Sequence, residues 1–311
     1  MARTHEIPAG REHFFWDERH EPVLEVEDGD TVVLQTREIT DEQLGPDSTA
    51  ADVAALDADR FYPLTGPIRM SGAEPGDALA VDVVGLETQD WGWTAIIPGL
   101  GLLADDFAEP YLRIFDIAGS DVAQLEEASV PLAPFLGTMG VCPAGARDQV
   151  VMPPGPFGGN LDTRQMVVGS TLYLPVHVEG AMFSTGDGHG VQGDGEVCVS
   201  ALEATLGVEL RFRLEKGRTI PGPQFRTPAP LTPQVDTAPY YGTTGVGPDL
   251  FVNAQNAIRA MIEHLGREYG LSPEDAYILC SLCVDLKISE IVDAGHWVVS
   301  ALLPEMVFGR T

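Results

Sequence analysis

In three places along the chain a glycine is followed by a short polar residue and then by apolar residues at alternate positions. Glu27-Asp28-Gly29-Asp30-Thr31-Val32-Val33-Leu34 matches Glu74-Pro75-Gly76-Asp77-Ala78-Leu79-Ala80-Val81, and Gly169-Ser170-Thr171-Leu172-Tyr173-Leu174 repeats the second half. Glycine permits the positive φ of a tight turn, and alternation sets one face of a strand on a core. The pattern predicts a mainly β body, a sandwich or barrel. Helical spacing arrives late, with Ala254, Ile258, Met261, Ile262 and Leu265 predicting a helix over 251–270. Ser272-Pro273-Glu274-Asp275 reads as N-cap, first-turn proline and acidic first turn of a second helix running to about Ile288. The valine-rich run from His296 to Leu303 predicts a closing strand, and prolines at 221, 223, 228, 230 and 233 mark an extended connection. The expected organisation is a β-rich body over 1–215 and a helix-containing α+β portion over 235–311, the two free to share one core.

Composition narrows the function classes. The 311 residues carry 18 Lys+Arg against 47 Asp+Glu, a net charge of −29. Such a chain repels phosphate backbones and anionic lipid, so no nucleic-acid or membrane partner is expected. The acidic excess itself reads as a solvated surface, one suited to high salt. A hydrophobic content of 44% excludes a disordered acidic tail. No run approaches 18 apolar residues, and no apolar stretch follows Met1-Ala2-Arg3-Thr4-His5-Glu6, so neither a membrane span nor a signal peptide is expected. Four cysteines are not a disulfide framework, and a cytoplasmic location is expected.

The densest polar constellation is Gly158-Gly159-Asn160-Leu161-Asp162, followed by Gly186-Asp187-Gly188-His189-Gly190-Val191-Gln192-Gly193-Asp194-Gly195-Glu196. In extended backbone alternate residues share a face. Asn160 would then align with Asp162, Asp187 with His189, and Gln192 with Asp194 and Glu196. One imidazole among several carboxylates suits a divalent cation of the Zn, Mn or Fe type. Calcium fits less well, because an EF-hand beginning at Asp187 needs a glutamate where Cys198 stands. A solvated Gly-Asp loop is the plain alternative. Apolar Gly180-Ala181-Met182-Phe183 before the run and Val197-Cys198-Val199 after it argue against that, since polar groups between buried strands need partners.

These residues resemble the acetamidase/formamidase family of small-amide hydrolases. The resemblance rests on Gly158 to Asp162, on Gly169-Ser170-x-Leu172-Tyr173-Leu174-Pro175-Val176-His177, and on Gly180-Ala181-Met182-Phe183-Ser184-x-Gly186-Asp187-x-His189-x-x-Gln192-Gly193-Asp194-Gly195-Glu196 with Ala201-x-Glu203. Trp16-Asp17, Thr65-Gly66-Pro67-Ile68, Pro134 to Val141 and Asp285-Leu286-Lys287-Ile288 extend it nearly end to end. It implies a jelly-roll-like β fold, a homo-oligomer, a bound divalent metal, and hydrolysis of a small carboxamide such as formamide or acetamide. One departure stands out: relatives tend to carry aspartate in a Thr-x-Asp-Ala stretch, and this chain has Thr36-Arg37-Glu38-Ile39.

On this reading Asp162, His189 and Asp187 are expected as metal ligands, with zinc the first choice. Glu196 is expected as general base, with Asp194 as a second catalytic acid. Asn160 and Gln192 would orient the carboxamide, each offering a donor and an acceptor. A non-catalytic metal- or solute-binding β-sandwich is the reading from another class, and a hydrolase of cyclic or larger amides the third. Lysine-dependent amidase chemistry fits poorly, since the two lysines, Lys216 and Lys287, lack the Gly/Ser-rich setting it needs. Cys280-x-x-Cys283 reads as a pair of buried small hydrophobes. Trp91 and Trp93 share a face across Gly92 and serve either packing or a pocket wall.

Overall fold

The alternating segments become members of one sheet. In the computed structural model, which describes residues 2–228, 239–292 and 295–309, they form the strands Thr31–Gln35, Ala78–Thr88 and Thr171–Pro175. Each is entered through a glycine at positive φ: 90° at Gly29, 102° at Gly76 and 91° at Gly169. The sheet runs Thr4–Glu6, Thr31–Gln35, Leu206–Glu215, Ala78–Thr88, Thr171–Pro175, Gln224–Arg226. A second sheet runs Gly158–Asn160, Phe135–Val141, Phe183–His189, Leu64–Met70, Glu12–His13, with Leu24–Val26 also beside Leu64–Met70.

One hydrophobic core joins the two sheets. Val32, Leu79, Val81, Leu172 and Phe212 from the first meet Leu64, Ile68, Phe135, Met139 and Phe183 from the second. The Phe183 and Phe212 rings meet edge to face with centroids 5.2 Å apart. Burying a side chain of this size contributes roughly 1.5–3 kcal/mol, so this is what holds the second sheet in place. The body is therefore mainly β, as its alternation indicates.

The late helix spans Leu250–Tyr269 and stops at Gly270, which takes the left-handed conformation at φ 69°. The second helix starts as expected, with Ser272 capping Asp275 N–H and Pro273 in the first turn, but it covers only Pro273–Cys283. Asp285–Glu290 leaves the helix and pairs with Trp297–Pro304, which in turn pairs with Tyr240–Gly247. The expected extension to Ile288 fails because these residues satisfy their backbone in a sheet instead. Both helices share a second core with Ile96, Phe115, Leu125, Val191 and Leu202 from earlier in the chain. Prolines 230 and 233 lie outside the described residues.

Candidate active site

The strand Phe183–His189 is buried at every position although it carries Ser184, Thr185, Asp187 and His189. Polar groups so placed require partners. Residues 188–191 run antiparallel to 202–204, with Ala204 N–H donating to Gly188 O at 2.7 Å and Gly190 N–H to Leu202 O at 2.8 Å. That pairing lays Glu203 beside His189. His189 Nε2 stands 3.1 Å from Asp187 Oδ1, 3.3 Å from Glu203 Oε2 and 4.0 Å from Glu196 Oε1. Asp162 arrives just beyond Gly158–Asn160, and its carboxylate joins His189 and Glu196 in one cluster.

The backbone is bent to make this happen. Asp162, Asp187 and Glu196 hold φ of 44°, 57° and 42°, in the left-handed region that non-glycine residues rarely occupy. Tyr62 and Val199, at 62° and 76°, border the same pocket, so five of the eleven described non-glycine residues with positive φ meet there. Strain of this kind persists where the surroundings over-determine it.

Thr138 Oγ1 donates to Asn160 Oδ1 at 2.7 Å, and Asn160 Nδ2 donates to Asp162 Oδ2 at 2.9 Å. Asn160 therefore aims a carboxylate as well as lining the pocket. Gln192 Nε2 donates to the Asp162 carbonyl at 2.9 Å, and the side chain lies outside the pocket lining. Asp194 departs further. Residues 194–195 form a turn, so the alternation expected from Gln192 to Glu196 breaks. Its carboxylate meets Arg164 Nε at 3.2 Å and Gln165 Nε2 at 2.9 Å, away from the cluster. The expectation of Asp194 as a second catalytic acid is corrected on this ground.

Electrostatics follow from crowding. Burial, then the Asp187 charge, pushes the Asp162 carboxyl up to about 8. Glu203 is pushed up to about 7, by burial first, with the His189 charge opposing. Burial and the Asp162 charge hold Glu196 well above the carboxylate range. Burial works against the His189 imidazolium, but the Glu203 and Asp187 carboxylates outweigh it and raise its pKa.

The residues fit a divalent cation. Four carboxyl groups crowd one buried imidazole, and they can ionise together only if a further positive charge joins them. Asp162 Oδ1, Glu203 Oε2 and His189 Nδ1 are buried without a hydrogen-bond partner among the described residues. Asp187, His189 and Glu203 form one candidate ligand set, and Asp162, His189 and Glu196 an overlapping one. The sequence carries Ala201-x-Glu203 as part of the resemblance but gives Glu203 no role at the site; its signal is the strand return that places it opposite His189.

A cavity of about 30 Å³ adjoins the cluster, and Asn160, Asp162, Asp187, Glu196 and Glu203 are among its lining residues. Trp93 forms part of its wall, and Nε1 donates to Glu38 Oε1 at 2.8 Å. Glu38 also accepts from Thr40 N–H, Thr40 Oγ1 and Glu42 N–H, so it fastens the wall and does not reach the cluster. Tyr62 faces the same carboxylates; burial and their charge keep its phenol protonated. His177 lies outside the pocket. Cys280 and Cys283 are buried, with thiol pKa values pushed up by burial, and Lys287 sits on the strand Asp285–Glu290. No cysteine–lysine centre forms among them.

The family model described as "Acetamidase/Formamidase family" matches residues 3–149 and 144–310. The formamidase of Methylophilus methylotrophus is 27% identical over 367 aligned residues, covering 96% of this chain and 90% of that protein. Among solved structures, a gamma lactamase from Delftia acidovorans superposes with a TM-score of 0.91 at 25% identity, over 99% of this chain and 93% of that one. An acetamidase from Bacillus halodurans superposes at 0.68 with 30% identity, over 98% of this chain and 99% of that one. Matched by the family model along almost its whole length, this chain belongs to the acetamidase/formamidase family.

Proposed function

We propose that the protein hydrolyses the C–N bond of linear carboxamides to carboxylate and ammonia, using a divalent cation, zinc in the first instance, held by His189, Asp187 and Glu203 with Asp162 beside them. The observation that carries this reading is the single buried imidazole ringed by four carboxylates beside a cavity. Family membership supports the reaction class. When bound, the cation would polarise the amide carbonyl and ease deprotonation of water.

The protein's own groups supply the rest. Glu196, its side chain 17% exposed and open to the pocket, takes a proton from the attacking water and passes it to the departing nitrogen. Asn160 holds Asp162 in place and has an amide hydrogen left for the substrate. Tyr62, protonated, offers a further donor. Glu196→Gln should lower kcat by about a hundredfold to ten-thousandfold with cation content unchanged; near-normal turnover would refute the base assignment.

Opening of a cyclic amide is a second reading, favoured by the TM-score of 0.91 with the gamma lactamase. Such a reaction yields an amino acid and no ammonia, so product analysis separates the two. A homo-oligomer and a cytoplasmic location are further parts of the proposal. Exposed Val246, Phe251 and Ile288 support the first, and four free, buried cysteines accord with the second. No described helix is long and apolar enough to cross a membrane.

A further inference from the structure

Glu196 stands in a loop, residues 193–200, that belongs to no helix or strand. Its backbone is bent hard: Gly195, Glu196 and Val199 hold φ of 117°, 42° and 76°. A positive φ is an outlier for a β-branched residue such as Val199, and it persists only where neighbours over-determine it. The loop's own bonds are few. Glu196 N–H donates to Gly193 O at 3.2 Å and Val199 N–H to Glu196 O at 2.9 Å. Much of the remaining hold comes from far along the chain, from the helix Pro273–Cys283.

Ser281 makes most of these contacts. It is fully buried in that helix, where a serine hydroxyl ordinarily returns to the carbonyl one turn back. Here the hydroxyl donates to Ser200 O at 2.7 Å and accepts from Cys198 N–H at 3.3 Å, bridging the two residues that flank Val199. The Ser281 carbonyl, among the last of the helix and so without an intrahelical partner, accepts from Gly193 N–H at 2.8 Å. One turn earlier on the same helix face, the Tyr277 hydroxyl donates to Val197 O, next to Glu196, and accepts from Leu103 N–H at 2.9 Å. The helix end and the loop abut, since a β-carbon on Gly193 would run into the Val284 carbonyl.

We propose that Ser281 is a positioning residue for Glu196: by clamping the chain on both sides of Val199, it holds the loop in the conformation that presents the carboxylate to the cluster. The inference rests on the reading of Glu196 as base and adds the helix that places it. Ser281 lies outside both the cavity lining and the cluster, so it acts through the loop. Without the hydroxyl, Cys198 N–H and Ser200 O lose these bonds beside the strained residue, and the loop relaxes by moving Glu196.

The test is kcat and KM for acetamide, with zinc content, in full-length, zinc-loaded wild type, Ser281→Ala, Glu196→Gln and the double variant. Ser281→Ala should lower kcat by about tenfold to a hundredfold, the cost of misplacing a reacting group by up to an ångström, with KM and zinc content close to wild type. In the Glu196→Gln background the same change should alter kcat by less than about twofold, because the group it positions is already gone. A merely structural serine would cost the same factor in both backgrounds. That result overturns the inference, as does wild-type kcat in Ser281→Ala. Should Ser281→Ala fail to fold, Tyr277→Phe releases the Val197 carbonyl from the same helix and is compared in the same two backgrounds. Wild-type kcat there, or equal losses in both, overturns the inference. These outcomes leave the amidase reading intact. Near-normal turnover by Glu196→Gln overturns the base assignment and the inference with it, and failure of wild type to hydrolyse any small amide overturns the amidase reading as well.

Discussion

A β-carbon placed on Gly137 would stand 2.5 Å from Oδ2 of Asp187, so the carboxylate occupies the space that any larger residue would need. The same atom would lie 2.6 Å from Asp162 Oδ1 and 2.9 Å from His189 Cε1. Gly137 is the middle residue of no turn; it sits inside the buried strand Phe135–Val141 and leaves room for the cluster. Gly137→Ala should therefore displace two carboxylates. An ångström of misplacement at a reacting centre costs about a hundredfold, so kcat/KM should fall by at least that much. Circular dichroism should remain that of a folded β protein.

Much of this centre was legible in the glycine-spaced run, and the reason is physical. Asp162, Asp187, His189 and Glu196 stand out in the sequence because polar residues between apolar strands must have partners, and the structure brings the four together. Asp194 misled because alternation assumes extended backbone, and the turn at 194–195 turns its side chain towards Arg164. Glu203 and Gly137 were missed for a different reason. Their roles exist only through cross-strand neighbours, which local spacing does not reveal. The β body was readable from three glycine-led alternations, whereas the boundary at Cys283 depended on the pairing of Asp285–Glu290 with a later strand.

Arg164 ties the cluster's two loops to the C-terminal sheet. Its Nη2 donates to Asp285 Oδ2 at 2.7 Å, while Asp285 Oδ1 accepts from Asp194 N–H at 3.0 Å. Removing one partner of a buried ion pair strands the other charge and costs about 3–5 kcal/mol. Arg164→Met should lower the melting temperature by several degrees, with Arg164→Lys closer to wild type. Calorimetry of both variants checks this; an unchanged melting temperature in Arg164→Met would show that the pair contributes nothing.

The crowded acids give stability a defined pH dependence in cation-free protein. Asp162, Glu196 and Glu203 keep their protons in the folded state to higher pH than in the unfolded chain, where carboxyls ionise near about 4. The folded state therefore binds more protons between about pH 4 and 8, and stability falls as pH rises through that window. His189, also raised, acts in the same direction: its contribution is full below about 6.5 and is lost above. A cation that takes the place of these protons should raise the melting temperature more at pH 8 than at pH 5. Scans at both pH values, with and without zinc, measure the difference, and Asp162→Asn should reduce it. Equal cation-induced shifts at the two pH values would contradict the linkage.

The account stands on one proposition, that His189 and the acids around it serve amide hydrolysis by holding a cation. Ammonia release from acetamide and butyramide, measured before chelation, after chelation to metal-free protein verified by elemental analysis, and after zinc is restored, tests it most directly. The account predicts activity that disappears on stripping, returns with about one or two equivalents of zinc per chain, and is absent from His189→Ala at every stage. Full turnover by verified metal-free protein, or by His189→Ala, would contradict it.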